Sequence, residues 1–167
     1  MSQDELQLRF DILESSCNQL CDLLDEEKVE GYKDVRRRRH VQWSILQHYE
    51  VCATPLLDFT QSLRVACSFA LNGNSKNDTY VFVFGLPYMT NRISINTEEE
   101  VVNVRLLSIC PPDALRPYYQ EGYLIGTEAI TDNYESKSEL DFNRRLIAKY
   151  KVPRSSKFWG SETKAIP

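Results

Sequence analysis

The residues able to do chemistry concentrate in two short stretches of this 167-residue chain. The first runs from Gln47 to Thr60 and carries Gln47, His48, Thr54, Asp58 and Thr60. An imidazole at a helix-to-loop junction is either a structural hydrogen-bonding group or a ligand contact, acid or base. Asp58 stands between large apolar residues, so if it is buried it must be hydrogen-bonded. It either locks the Thr54–Thr60 turn through backbone amides or lines a polar site. Thr60 reads first as a cap for the helix that follows. The second stretch holds Arg116, Gln120 and Glu121 ahead of Gly122. On its residues alone, Glu121 is the polar position of an exposed strand. Tyr118, Tyr119 and Tyr123 offer rings that either stack on a base or serve as ordinary core and surface tyrosines.

Four consecutive arginines, Arg36 to Arg39, form a further group. Neighbours on a helix point nearly all round, so they cannot make one flat basic face. The expectation is a solvated helix start paired with the acidic Asp22–Glu30 stretch, with phosphate or nucleotide binding by one or two arginines as the alternative. The net charge of −4 argues against nucleic acid as a partner. His40 and His48 have no thiol beside either, so no metal is expected. The five cysteines include no CxxC pair and read as buried free thiols of a reducing compartment. No apolar run approaches membrane-spanning length and the N-terminus lacks signal-peptide regions, which together predict a cytoplasmic protein with no membrane association.

The elements that must position these groups follow from periodicity. Ser2 and Glu5 make a capping box before Leu6, Phe10, Leu13, Cys17, Leu20 and Leu24, a long amphipathic helix that Gly31 breaks. Lys33 to Gln47 predicts a second helix, docked through Trp43 and Leu46. Thr54 to Thr60 is a short strand or turn, and Pro55 makes it an edge strand or a strand start. Thr60 or Ser62 caps a central helix with Leu63, Ala66, Cys67, Ala70 and Leu71 on its buried face and Asn72-Gly73 as its stop. Ala66 and Ala70 let a sheet lie close.

Asn72 to Asp78 is a polar loop. Thr79 to Leu86 is apolar on both faces and predicts an interior strand. Arg92, Ile93 and Ile95 form a short strand. Val101 to Ile109 is the next strand, with Asn103 and Arg105 on one side of it. Pro111-Pro112-Asp113 starts a turn, Ala114 to Tyr119 is one helical turn, and Gln120 to Gly126 is a glycine-flanked strand. Ser136 and Glu139 cap a helix through Leu140, Leu146, Ile147 and Tyr150 that Pro153 stops. Residues 155–167 read as a tail. The order of elements predicts an α+β fold, with N-terminal helices followed by a small, mostly antiparallel sheet packed on the central helix.

The central stretch resembles the FRG domain family, whose most recognisable run is close to Q-H-x-G-x-P/x-T-R-L-L-D-W-T followed by A-L-x-F-A. Gln47, His48, Thr54, Leu57, Asp58, Thr60, Ala66, Phe69 and Ala70 match it. Arg116, Gln120, Gly122 and Tyr123 echo a second family segment. Pro55, Phe59 and Glu50 stand where that family usually has Arg, Trp and Gly. The F/Y-R-G strand that precedes this region in the family has no counterpart here. The expectation is therefore a shortened domain over 1–153, with the strand replaced or supplied from elsewhere, followed by a tail over 154–167.

The FRG pattern in turn is similar to the ADP-ribosyltransferase arrangement. That similarity implies an ADP-ribosyltransferase-like fold and NAD as a substrate. It also implies Gln120 and Glu121 as catalytic groups orienting NAD while nicotinamide leaves. Gln47, His48, Thr54, Asp58, Thr60 and Arg116 become substrate-binding residues, with Thr60 as a ribose-binding hydroxyl. The partner implied is a nucleotide-type small molecule. The alternative is a non-catalytic, ligand-sensing or protein-interaction module that keeps the scaffold.

Overall fold

The computed structural model describes residues 2–72, 78–98, 101–110, 115–127 and 142–153. Helix α1, Gln3–Glu26, starts where the capping box predicts: Glu5 N donates to Ser2 Oγ at 3.1 Å. Leu13, Cys17 and Cys21 are its buried stripe. Lys28 and Gly31 take left-handed φ values of 51° and 85°, and the chain reverses there.

The predicted second helix is two. Helix α2, Tyr32–Arg37, ends at Arg38, whose φ of −125° and ψ of 91° are extended, and α3 runs Arg39–His48. The buried Gln42 accounts for the break. Its Nε2 donates to Val35 O at 2.9 Å, which also accepts from Arg38 N at 3.1 Å, and to Arg36 O at 3.1 Å, adding a side-chain donor at the end of α2. Arg36 meets Asp25 at 3.6 Å and Asp22 at 4.0 Å, the acidic pairing expected of this stretch. Trp43 and Leu46 are each 3% exposed and dock α3 into the core.

That core lies under a four-stranded sheet made of β1 (Leu57–Thr60), β3 (Ile93–Asn96), β4 (Val101–Arg105) and β5 (Gly122–Thr127). The order is β1-β5-β4-β3, antiparallel throughout, with β1 at an edge. The pleat sends Val102, Val104 and Leu124 toward the helices, where they meet Leu13, Cys17, Trp43, Leu46 and Leu56. Gly126, opposite Val102, packs tightly: a Cβ there would stand 2.7 Å from Leu56 Cδ2, which would have to shift. The predicted strand Val101–Ile109 stops at Arg105. Leu106 turns into the core at 3% exposure, and Leu106–Ile109 is the short helix α5.

A second sheet, rather than a continuation of the first, holds β2 (Thr79–Phe84) and β6 (Leu146–Val152), again antiparallel. Two expectations are corrected here. Among the described residues β2 pairs only with β6, so it is not interior, and Tyr80 and Phe82 are 40% and 49% exposed. The predicted C-terminal helix through Leu146, Ile147 and Tyr150 is a 3-10 turn, Phe142–Arg145, followed by strand β6. The alternation that sets Thr79 against Val152 and Val81 against Tyr150 outweighs the helical spacing. Ser136, Glu139 and Leu140 lie outside the described residues, as do Gly73, the Pro111–Asp113 turn, Ala114 and the 154–167 tail.

Helix α4, Leu63–Leu71, packs on this second sheet. Ser62, not Thr60, is its cap and accepts from Val65 N at 3.5 Å. Cys67 packs with Val81 and Val152, and Ala66, Ala70 and Leu71 lie against them. Leu63 is corrected to the outer face at 68% exposure, and Val65 is buried instead. The last helix, α6, is Leu115–Gln120. The fold is α+β, with N-terminal helices and two antiparallel sheets.

Candidate functional site

The family-like residues settle into three linked groups. Gln47 sits at the centre of the first. Its Nε2 donates to Asp58 Oδ2 at 2.9 Å, and its Oε1 accepts from Thr54 Oγ1. Leu56 N donates to the same Thr54 Oγ1 at 3.2 Å. Three residues of the motif thus satisfy one another and hold α3 against the approach to β1. Asp58 is exposed and is held by a side-chain amide. With Glu50, Cys52, Ala53 and Leu56, these residues line an open depression of about 480 Å³.

The second group joins His48 to Arg116. His48 is 8% exposed, with its ring edge-on to Tyr49 at 5.3 Å. Burial pushes its pKa below the usual 6.5, the Arg116 charge pushes the same way, and Asp58 opposes. Arg116 Nη1 donates to His48 O at 3.3 Å, and its Nη2 pairs with Glu50 Oε1 at 3.2 Å. Both partners of that pair are more than half exposed, so it adds little stability. The third group is Thr60, whose Oγ1 donates to Gln120 O at 3.0 Å and accepts from Ser62 N at 3.1 Å. Glu121 beside it is exposed, with a left-handed φ of 47°.

Between the two sheets lies a cleft of about 1710 Å³, bounded by β1, β4, β5, α4, β2, β6 and the 86–92 loop. Its floor is the face of the four-stranded sheet turned away from α1 and α3: Phe59, Asn103, Arg105, Tyr123 and Ile125. Phe59 meets Phe84 of the second sheet edge to face, with centroids 5.3 Å apart. Tyr123 OH donates to Gln61 Oε1 at 2.9 Å. Four cations line the cleft, Arg64, Arg92, Arg105 and Lys151, and no Asp or Glu does so among the described residues. Lys151 is paired with Asp78, whose hydrogen bond raises its pKa. Asn103 is 7% exposed, and its Oδ1 has no hydrogen-bond partner among the described residues.

Of the residues singled out in the sequence, Thr60 and Tyr123 line this cleft. Gln47, Thr54 and Asp58 line the smaller depression, and His48, Arg116, Gln120 and Glu121 line neither. The sequence reading missed Arg64, Arg92, Arg105 and Asn103 as site residues. Asn103 and Arg105 did leave a signal, two polar positions on one side of an apolar strand. The other two arginines come from separate segments that meet only in the fold. Among the described residues, no group of three or more His, Cys, Asp or Glu is placed to hold a metal, and no helix is long and apolar enough to cross a membrane. All five cysteines are free thiols, with Cys17, Cys21 and Cys67 buried. Burial first, and then the neighbouring Cys52, pushes Cys17 up to about 11.

Residues 8–79 match the family model of the FRG domain. The match runs from within α1 to the start of β2 and takes in all of the Gln47–Ala70 stretch. The Arg116–Tyr123 echo lies outside the match. No curated protein and no solved structure matches the chain.

Proposed function

We propose that the cleft between the two sheets binds NAD or a closely related nucleotide. The observation that carries this reading is the lining: four cations, of which Lys151 is paired with Asp78, and no carboxylate among the described residues, in a chain whose net charge is −4. Arg and Lys side chains meet phosphate oxygens with charge-assisted hydrogen bonds. Phe59, Phe84 and Tyr123 offer ring faces and edges to a base, and apolar walls with a few placed polar groups are what a small-molecule site needs. An ADP-ribosyltransferase-type step is the chemistry the FRG pattern suggests. Gln120 and Glu121 would orient the ribose and stabilise an oxocarbenium-like transition state as nicotinamide departs. The hydrogen bond from Thr60, in the cleft wall, to the backbone carbonyl of Gln120 supports this reading, since it holds the start of β5 beside the cleft. The free thiols fit a reducing, cytoplasmic setting.

One observation favours a second reading, a binding-only module that senses a ligand or a protein. Glu121 is exposed and does not line the cleft. Calorimetric titration of NAD and ADP-ribose, with nicotinamide release followed in parallel, separates the two. The enzyme reading expects binding with release, and release lost in the Gln120→Ala, Glu121→Ala double variant. Binding without release selects the sensing module. A folded chain that binds neither compound at millimolar concentration overturns the nucleotide reading.

A further inference from the structure

Arg92 and Arg105 stand opposite each other across the β3–β4 ladder. Ile93 pairs with Val104, and Arg105 N donates to Arg92 O at 2.9 Å. Like charges placed directly opposite on a sheet repel, and such an arrangement persists at a cost unless an anion sits between them. Neither guanidinium has a carboxylate partner among the described residues, and both line the cleft. Two positions back on β4, and so on the same face, is Asn103. It is nine-tenths buried in the cleft floor, with Oδ1 lacking a partner among the described residues. Ser94, its cross-strand neighbour, has an Oγ that likewise lacks a partner among the described residues. A buried amide oxygen without a donor carries a desolvation penalty that a ligand N–H or O–H would remove.

We infer that Arg92 and Arg105 form the anion subsite of this cleft, and that Asn103 Oδ1 accepts a hydrogen bond from the same ligand. Two residues of strand separate the backbone positions of Arg105 and Asn103 by about 7 Å. The ligand class is a phosphoester, most simply a diphosphate, with a hydroxyl or amino donor at about that distance from the anionic group. A nucleoside diphosphate moiety meets this description through its ribose hydroxyls or its base amino group. The inference rests on the nucleotide reading of the cleft and adds to it which residues take which part of the ligand.

The test titrates ADP-ribose, inorganic pyrophosphate and adenosine into the folded chain and into Arg92→Ala, Arg105→Ala and Asn103→Ala variants. Both arginines are exposed, so their replacement leaves the fold intact, and a thermal melt checks the Asn103 variant. Each arginine variant should lose about tenfold or more in affinity for ADP-ribose and for pyrophosphate, with a shallower salt dependence, and keep its affinity for adenosine. Asn103→Ala should weaken ADP-ribose and leave pyrophosphate unchanged. ADP-ribose binding that ignores both arginine changes overturns the subsite while the nucleotide reading stands. Pyrophosphate binding that depends on the arginines, with no binding of ADP-ribose or NAD, keeps the anion subsite and overturns both the Asn103 role and the nucleotide reading. No binding of any probe overturns both inferences.

Discussion

Thr60 Oγ1 and the carbonyl of Gln120 are joined at 3.0 Å across 60 residues of sequence, and the same hydroxyl receives Ser62 N at 3.1 Å. One side chain therefore fixes the end of β1, the approach to α4 and the entry to β5. Thr60→Val removes both bonds and keeps the shape. It should cost about 1–2 kcal/mol in a denaturant titration, and Thr60→Ser should recover most of that. A Val variant as stable as the wild type would show that the hydroxyl does not hold these elements together.

Gln47 hydrogen-bonds both Thr54 and Asp58 in the motif network. Gln47→Ala should destabilise by about 1 kcal/mol or more. In a double-mutant cycle, Gln47→Ala and Asp58→Ala should couple by about 0.5–1 kcal/mol. Strict additivity would mean that Asp58 is free to act on a ligand and does not brace the loop.

His48 sets a pH dependence. Burial and Arg116 hold its folded pKa below 6.5, so between that lowered value and 6.5 the unfolded chain binds a proton that the folded chain refuses. Stability should therefore rise with pH through this window, flatten above 6.5, and fall as the solution is acidified. Comparing melting midpoints from pH 5 to pH 7.5 for wild type and His48→Asn checks this. A wild-type slope no steeper than the variant's would remove His48 as its source.

Gly126 reports on the closeness of β5 to the Pro55–Leu56 segment. In Gly126→Ala the new methyl meets Leu56 Cδ2 at 2.7 Å, and Leu56 is 4% exposed with little room to yield. A loss of about 1–3 kcal/mol is expected. Combining it with Leu56→Ala should cost less than the sum of the two single changes, because truncating Leu56 vacates the space the methyl needs.

Where local chemistry decides the structure, the sequence was readable. Ser2 and Glu5 announced the start of α1, Pro55 the edge position of β1, and Trp43 and Leu46 the docking of α3. Where a distant partner decides, it was not. Leu146, Ile147 and Tyr150 fit helical spacing, yet pairing with β2 makes Leu146–Val152 a strand. The apolar run of β2 reads as interior, while in the fold Lys149 lies over the Tyr80 ring at 4.3 Å and partly shields that face. The cleft had the same difficulty. Arg64, Arg92 and Arg105 look like scattered surface charges until α4 and the β3–β4 ladder bring them to one lining.

The bond from Gln42 back to the end of α2 also implies an order of assembly. Six residues are too few to keep a helix in water on their own, and the end of α2 takes a side-chain donor that α3 supplies. The α2 segment with its arginines is thus a dependant of its successor in the chain. With Arg36 also held by Asp22 and Asp25 of α1, it leans on both neighbours, and it should be the first of the three N-terminal helices to open when the Trp43 and Leu46 seat of α3 loosens.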